Sequence, residues 1–365
     1  MHMKSLMKAW RLERLGGNLS LKDVPVPEPR SGTVLVRIRA TALMSYLKQY
    51  VQGGLPSYSP PPGEFTIGTN GVGVVEAVGP DVWHLRPGQR VLLSSHLVSG
   101  ENMEDPAQIL IGLTAMGPGT EGLMADWPDG TLAEYALAPV EVVTPAEGLE
   151  GLDDVQLAVL SRCIIPLGGL LRGRLAAGET LIVTGATGAY GTAAVLLSIA
   201  LGAGRVVAAG RNRVALEALS RAGGVRVSTV ALTGDVQADT RALREASDGG
   251  AHMAFDMVGQ AGDPNATLAA LHSLRRAGRL VLMGSMTTAL PLPYTAVMLN
   301  NLEILGQFMY PAGAYRRLLA LLRSGLLDIS AIHPRVYALA ELPEAMDAAA
   351  VAGNLEYVVV RPSSQ

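Results

Sequence analysis

The stretch Thr180-Leu181-Ile182-Val183-Thr184-Gly185-Ala186-Thr187-Gly188-Ala189-Tyr190-Gly191 decides how the chain is read. Leu, Ile and Val between two threonines have the composition of a buried strand, and Thr192 to Leu201 continue as an unbroken helical run. A glycine-spaced turn joining the two lets backbone N–H groups and the positive end of the helix dipole face an anion. Gly185, Ala186, Thr187, Gly188, Ala189, Tyr190 and Gly191 are therefore the candidate pyrophosphate loop of a dinucleotide site, with an empty α/β turn as the alternative. The spacing is Gly-x-x-Gly-x-x-Gly, not Gly-x-Gly-x-x-Gly, so the weight rests on the agreement of strand, turn and helix.

Working outward, the next strand runs from Arg205 to Ala209 and ends in Gly210-Arg211-Asn212. A site for NAD would place Asp or Glu there to accept from the ribose 2′-hydroxyl. No carboxylate stands at this point. Arg211 can fork onto a 2′-phosphate, Gly210 leaves it room and Asn212 can add a hydrogen bond, which favours NADP(H) over a solvated arginine at a helix start. Further along, a helix at Val214–Ala222 and strands near Val225–Val230, His252–Met257, Arg279–Met283 and Leu302–Phe308 alternate in the manner of a doubly wound parallel sheet.

Before Asp153 the pattern differs. Short runs rich in Val and Ile, such as Val34–Ile38, Gly71–Val78 and Gln89–Leu93, are separated by Gly and Pro and predict a compact β domain. After Phe308, a helix at Ala314–Ser324, a strand at Arg335–Ala338, a helix at Leu342–Ala350 and a strand at Tyr357–Val360 read as a return to that domain. The expected division is 7–155 for the first part of the β domain, 156–300 for the nucleotide domain, and 301–365 for the last strand region and the return. Residues Met1 to Leu6 precede the first strand and are set aside as a leader. Ser99 to Trp127, glycine-rich with Met103, Met116 and Met124, reads as a long loop or lobe that covers something, or equally as a tolerated insertion.

Composition narrows the class. At 365 residues the length suggests about two domains of ~150 residues, and 49% hydrophobic residues exclude wholesale disorder. With 29 Lys plus Arg against 32 Asp plus Glu the net charge is −3, so nucleic acid and anionic membranes are unlikely partners on charge grounds and a small molecule is the expected substrate. No signal-peptide block opens the chain, and Ala193–Gly204, its most apolar helical stretch, is too short to span a bilayer, which predicts a soluble cytoplasmic protein. Cys163 is the single cysteine, so neither an internal disulfide nor a four-thiolate zinc site can form within one chain.

The motifs resemble those of the medium-chain dehydrogenase/reductase superfamily, in the pattern of its quinone-oxidoreductase and alkenal double-bond-reductase branches. The resemblance rests on Gly68-Thr69-Asn70-Gly71-Val72-Gly73-Val74-Val75-Glu76-Ala77-Val78-Gly79, Pro87-Gly88-Gln89-Arg90-Val91, Gly130-Thr131-Leu132-Ala133-Glu134-Tyr135, the Gly185 loop and Gly278-Arg279-Leu280-Val281-Leu282-Met283-Gly284. It implies a GroES-like β-barrel catalytic domain beside a Rossmann-type domain, with Val258, Gly259, Met283, Gly284, Ser285, Phe308, Met309 and Tyr310 contacting the cofactor. Where zinc-dependent members hold Cys, His and Cys, this chain has Met44, Thr69 and Ser161, or Cys163 if the count slips by two, and Asn70 replaces the Glu that follows the His. That set implies a zinc-free enzyme.

Without a Lewis acid, hydride addition to a quinone or an α,β-unsaturated carbonyl needs less help than simple alcohol oxidation, because hydrogen-bond donors can stabilise the developing oxyanion. Leu43-Met44-Ser45-Tyr46-Leu47-Lys48 partly matches a Leu-Asp-Pro-Tyr-Met-Arg stretch of the alkenal reductases. By that resemblance Tyr46 is the candidate proton donor, Lys48 a contact to the cofactor phosphate or ribose, and Asn70 a neutral group lining the vacated metal pocket; a packed Tyr and a surface Lys are the alternative. The expected function is a zinc-independent, NADPH-dependent reductase of quinones or conjugated carbonyls. A zinc-free NADP-dependent alcohol/ketone dehydrogenase and a non-catalytic NADPH-binding protein stay open. An exposed edge strand at Leu302–Phe308 predicts a homodimer.

Overall fold

The structure is a computed structural model that describes residues 5–100 and 102–362. Contacts divide the chain into two units, one of residues 1–161, 334–352 and 356–365, the other of residues 162–333 and 353–355.

The first unit is built from short strands, as the closely spaced Val- and Ile-rich runs predict. β1 (Leu6–Leu12) pairs antiparallel with β2 (Leu19–Pro25), and β3 (Thr33–Ala42) leads into a short helix, α1 (Leu47–Val51). There follow β4 (Phe65–Thr66), β5 (Gly71–Val78), β6 (Arg90–Leu93), β7 (His96–Ser99), β8 (Ala107–Leu110), β9 (Thr114–Met116), α2 (Glu121–Asp126), β10 (Tyr135–Pro139), β11 (Val143–Pro145) and α3 (Asp154–Ala158). β3 is the hub: β5, β10 and a strand from the end of the chain all pair with it antiparallel. Val34, Val36, Ile38, Val75, Val91 and Leu93 fill the space between the sheets with aliphatic side chains.

Two expectations for this unit change. Leu6 belongs to β1 and Ser5 accepts from the Val26 amide, so the strand begins before Met7; Met1 to Lys4 lie outside the described residues. The segment 99–127 is no loose insertion. It supplies β8, β9 and α2, and its Ile109, Ile111 and Met124 are buried in the same core as β3.

The second unit begins inside α4 (Leu160–Arg172) and continues through β12 (Thr180–Thr184), α5 (Ala189–Ala200), β13 (Arg205–Gly210), α6 (Arg213–Gly223), β14 (Val227–Ala231), α7 (Val236–Ala246), β15 (Ala251–Asp256), α8 (Asn265–His272), β16 (Leu274–Leu282), α9 (Tyr294–Leu299), β17 (Glu303–Gly306) and α10 (Ala314–Arg323). All six strands are parallel, in the order β14-β13-β12-β15-β16-β17, and β17 is an edge. Ile182, Val207, Ala254 and Leu280 are fully buried, as strands covered on both faces require. The run Asp154–Arg172 is long and apolar enough to cross a membrane, more so than Ala193–Gly204, yet 72% of it is buried inside the protein, the position of a core helix.

The chain then returns to the first unit through β18 (His333–Ala338), α11 (Leu342–Val351) and β19 (Glu356–Arg361). Val359 and Val360 of β19 pair with Ala42 and Thr41 of β3. The division thus falls after Ser161 rather than near 156, and the return begins at Pro334 rather than after Phe308, because α10 stays with the unit of the parallel sheet.

Candidate functional site

In a doubly wound sheet the ligand crevice lies beyond the carboxyl ends of the strands, where the strand order reverses. Here the reversal is between β12 and β15. Of the expected cofactor residues, Gly185 to Gly191 follow β12, Gly210 to Asn212 close β13, Val258 and Gly259 follow β15, Met283 to Ser285 follow β16, and Phe308 to Tyr310 follow β17. The fold therefore collects all eighteen at one end of one sheet.

The loop itself has the form that an anion needs. Gly185 sits at φ +67° and Gly188 is the N-cap of α5 with no side chain capping it, so the first amides of that helix are not closed off by a side chain of their own. Gly191 lies directly against the loop: a Cβ there would stand 2.1 Å from the Gly185 carbonyl oxygen. Thr192 Oγ1 donates to the Ala186 carbonyl (2.9 Å) and fixes the turn from inside. On the neighbouring loops a Cβ at Gly284 would meet the Val258 oxygen at 2.2 Å, so 258–259 and 283–285 pack backbone to backbone.

Beneath these loops lies Asp256, which the sequence reading passed over. Its carboxylate accepts from Thr184 Oγ1 (2.7 Å) and Thr267 Oγ1 (3.0 Å), and the amides of Met283 and Gly284 donate to its backbone carbonyl. Burial pushes its pKa above the ordinary carboxylate value while the hydroxyl and Val258 amide bonds oppose the rise. No motif marks this residue; only the C-terminal position on a central strand singles it out.

At the end of β13, Arg211 is exposed and forms no ion pair with the described residues, and Gly210 is buried against Thr187. Asn212 also has a structural role. Its Oδ1 accepts from the Ala215 amide (3.1 Å) and caps α6, so the oxygen is committed to the helix rather than turned to a ligand. Met309 has φ +50°, and Tyr310 is buried with its ring edge-on to Tyr315 at 5.9 Å; Phe308 stays exposed. These features fit a dinucleotide: an uncapped helix start at the switch point, glycines in close backbone contact, and a cation where a 2′-phosphate would need one.

In the first unit Thr69, Asn70 and Ser161, at the positions that correspond to the metal site, are neutral, and each is hydrogen-bonded to its own neighbours. The Thr69 amide donates to Thr131 Oγ1 (3.3 Å), which in turn donates to the Thr69 carbonyl (2.8 Å). Asn70 is buried, its Oδ1 accepting from the Ser95 amide (2.7 Å) and hydroxyl (3.0 Å). Ser161 Oγ reaches the Ala158 carbonyl (2.7 Å) and the Tyr357 hydroxyl (2.5 Å). Cys163 is fully buried in α4 of the second unit, and burial pushes its thiol up to about 12, so it holds its proton. Among the described residues no three of His, Cys, Asp and Glu cluster as a metal site. Hydroxyls, an amide and a thioether are poor partners for zinc, and the residues present do not fit that metal.

Tyr46 precedes α1 and is half-buried, its ring tilted against that of Tyr58 at 6.3 Å. Lys48 forms an ion pair with Asp347 of α11 within the same unit, a partner that the sequence did not suggest.

Two family models match. Residues 30–148 match the alcohol dehydrogenase GroES-like domain and residues 189–324 the zinc-binding dehydrogenase domain, so that between them they take in most of both units. L-threonine 3-dehydrogenase of Anaeromyxobacter dehalogenans is 29% identical over 352 residues, covering 94% of this chain and 95% of that protein. Sorbitol dehydrogenase of Bacillus subtilis is 25% identical, covering 91% and 90%. The structure of a thermostable alcohol dehydrogenase from Pyrobaculum aerophilum superposes with a TM-score of 0.76 at 24% identity, covering 98% of this chain and all of that one, a likeness of fold alone. These names are those of alcohol-type dehydrogenases, and they do not place the chain in the quinone-oxidoreductase branch that its motifs resemble. With both domain models matched in order along one chain and the fold shared throughout, the protein belongs to the medium-chain dehydrogenase/reductase superfamily and is an NAD(P)-dependent oxidoreductase of that type.

Proposed function

We propose that the protein is a zinc-independent, NADP(H)-dependent dehydrogenase that interconverts an alcohol and its carbonyl compound, with Tyr46 as the proton-transferring group. The observation that carries zinc independence is the neutral set Thr69, Asn70 and Ser161, each hydrogen-bonded to its own neighbours, at the positions of a metal. With no charged ligand there, the carbonyl has to be polarised by a hydrogen-bond donor, and the Tyr46 phenol is the candidate. The names of the relatives support the alcohol-type substrate. The absence of a carboxylate after β13 and the exposed Arg211 support NADP(H) over NAD(H).

In this reading the uncapped start of α5 binds the pyrophosphate, Arg211 binds the 2′-phosphate, and the loops resting on Asp256 orient the nicotinamide half. A bound nicotinamide nucleotide supplies or accepts the hydride. Tyr46 gives its hydroxyl proton to the substrate oxygen during reduction and takes it back during oxidation. Lys48, paired with Asp347, acts on the position of α1 rather than as a ligand for phosphate.

Reduction of a quinone or a conjugated carbonyl is the second reading. The same neutral set favours it, because an enolate or phenolate oxygen requires less polarisation than an alkoxide. NADPH oxidation is to be measured with ketones, aldehydes, enones and quinones, and NADP⁺ reduction with the matching alcohols, each with and without a chelator. Turnover of ketones and alcohols that survives chelation supports the first reading. Turnover confined to quinones and enones replaces it with the second, and stoichiometric zinc required for activity sinks both.

A homodimer through the β17 edge accompanies this proposal. Next to that edge, α9 has no buried residue, and Tyr294, Met298 and Leu299 expose 79%, 53% and 60% of their surface. Such an apolar face is costly in water and suits a second copy of the chain. A monomeric mass by light scattering at micromolar concentration would remove the dimer.

A further inference from the structure

Arg162 of α4 exposes 1% of its surface and is the one cation buried among the described residues. A guanidinium stays charged throughout the pH range of folded proteins, so it cannot escape the cost of burial by losing a proton as a lysine can. Its Nε donates to the Ala189 carbonyl (2.8 Å). Ala189 is the first residue of α5, directly after Gly188, so the guanidinium stands beside the first turn of the helix whose start no side chain caps. Neither the helix nor the adjacent thiol accounts for a cation at this place. Cations gain from a helix dipole at the carboxyl end and lose at the amino end. The Cys163 thiol holds its proton even beside Arg162, so it supplies no negative charge. The Ala189 carbonyl is a neutral acceptor, and a buried charge is by itself a poor source of stability. An anion at the start of α5 would answer the guanidinium and the helix dipole together.

We propose that Arg162 is a binding residue for the pyrophosphate of the nucleotide: its buried charge, beside the first turn of α5, attracts the diphosphate to the Gly185–Gly191 loop, and its bond to Ala189 holds the helix start in place. The proposal rests on the nucleotide-binding part of the reading above and is independent of the role of Tyr46. It gives the site a second cation with a task unlike that of Arg211. Arg211 is exposed at the end of β13, where it is assigned the 2′-phosphate, whereas Arg162 acts on the pyrophosphate that NADP(H) and NAD(H) share. Helix amides present only partial charges to an anion. A full charge held away from water is screened little by solvent or salt, so it adds to that potential over more than one turn of helix. Arg162 therefore raises the affinity for both nucleotides without choosing between them.

Arg162→Gln keeps an N–H for the Ala189 carbonyl and removes the charge, whereas Arg162→Lys keeps the charge. Calorimetric titration of the full-length protein is expected to show NADPH and NADH each bound about tenfold more weakly by Arg162→Gln, and within about threefold of the parent by Arg162→Lys. 2′-AMP, which carries the 2′-phosphate but no pyrophosphate, is expected to bind all three proteins alike. A parent protein that binds neither dinucleotide overturns the reading of the site and this inference with it. If the parent binds NADPH and Arg162→Gln binds it equally well, or if NADPH and 2′-AMP weaken together, the site stands and the inference is wrong: Arg162 then only joins two helices, and a fall in Tm is its whole effect. Equal losses in Arg162→Gln and Arg162→Lys would show that charge is not what matters and overturn it too. The unaltered protein supplies a readout that needs no variant to fold. With ¹⁵N-labelled arginine, the Nε–H resonance of Arg162, recognised by its slow exchange with water, is expected to shift when NADPH is added and to stay when 2′-AMP is added; a resonance that stays with NADPH bound overturns the proposal.

Discussion

Replacing each of two glycines of one loop by alanine should separate its structural role from its binding role. A Cβ on Gly191 would stand 2.1 Å from the Gly185 oxygen, 2.7 Å from its carbonyl carbon and 2.8 Å from the Ala186 Cα. All three are backbone atoms, so no side chain can swing aside; α5 must move away from the loop by about 1 Å to restore ordinary contact, and overpacking of that kind costs about 3 kcal/mol. For a unit of this size that corresponds to a fall in Tm of about 6–12 °C. A Cβ on Gly188 meets only the Gly185 oxygen at 3.3 Å, and φ −86°, ψ 169° is open to any L-residue, so Gly188→Ala should cost no more than about 1 kcal/mol. Gly188 is exposed at the uncapped helix start, however, and a methyl there occupies the approach of the phosphate. Calorimetry is expected to show Gly191→Ala strongly destabilised, and titration to show Gly188→Ala nearly as stable as the parent but at least tenfold weaker for NADPH. A Gly191→Ala protein that melts with the parent would refute the packing; a Gly188→Ala protein that binds NADPH like the parent would refute the placement of the pyrophosphate.

The other expectations concern single side chains. Arg211→Ala should weaken NADPH by about 10- to 50-fold at low salt, less at high salt, and change NADH by less than twofold; equal losses for both nucleotides would show that Arg211 does not read the 2′-phosphate. Tyr46→Phe should lower turnover about a hundredfold with little change in NADPH affinity, and an unchanged rate removes the phenol from the chemistry. Asn212→Ala deletes the cap on α6 and should destabilise by about 1 kcal/mol in thermal melts, with Asn212→Asp restoring most of it. Glu179, buried enough to disfavour its charge yet held well below the usual carboxylate range by Arg279 and the Ala176 amide, contributes stability that is present above the unfolded carboxylate pKa and lost as the pH falls through its lower folded value. Glu179→Gln should therefore cost at most about 1 kcal/mol at pH 7, the pair being partly screened by solvent, and narrow its deficit toward pH 3 in urea titrations; a deficit that does not depend on pH would place the loss in packing.

How much of this could be read beforehand depended on whether local signals agreed. β12, the Gly185 loop and α5 were legible because apolar strand, glycine turn and helical run reinforced one another, and β13 was legible because its apolar run ends at Gly210. α4 was not. Its sequence holds Pro166, Gly168 and Gly169, which read as breakers, but the structure uses the two glycines for close approach: a Cβ at Gly168 would stand 2.1 Å from the Met309 oxygen and one at Gly169 would stand 2.4 Å from the Phe255 ring. The segment 99–127 looked like a loop because its strands are only three or four residues long and derive their stability from the core they share with β3. Asp256 and the Lys48–Asp347 pair have no signal in the sequence at all, since each is defined by partners distant along the chain or by a strand order that only the folded sheet reveals.

The neutral metal positions and Tyr46 lie in one unit, and their chemistry is complementary. A zinc ligand set would bring negative charge and a divalent cation into the β domain; Thr69 and Thr131, and Asn70 and Ser95, instead spend hydrogen bonds on each other. Such a network is satisfied as it stands, so it holds the local backbone but has little left with which to polarise a substrate. A carbonyl arriving in the first unit then requires a donor whose proton is not already committed to the scaffold. Tyr50 is excluded by its bond to Leu113 and Cys163 by burial, whereas Tyr46 stands half-buried just before α1. If the enzyme works without a metal, Tyr46 is the proposed source of the proton. The two readings of the substrate then differ in one respect only: an alkoxide asks more of the phenol than an enolate does, so Tyr46→Phe should cost a ketone substrate more than a quinone.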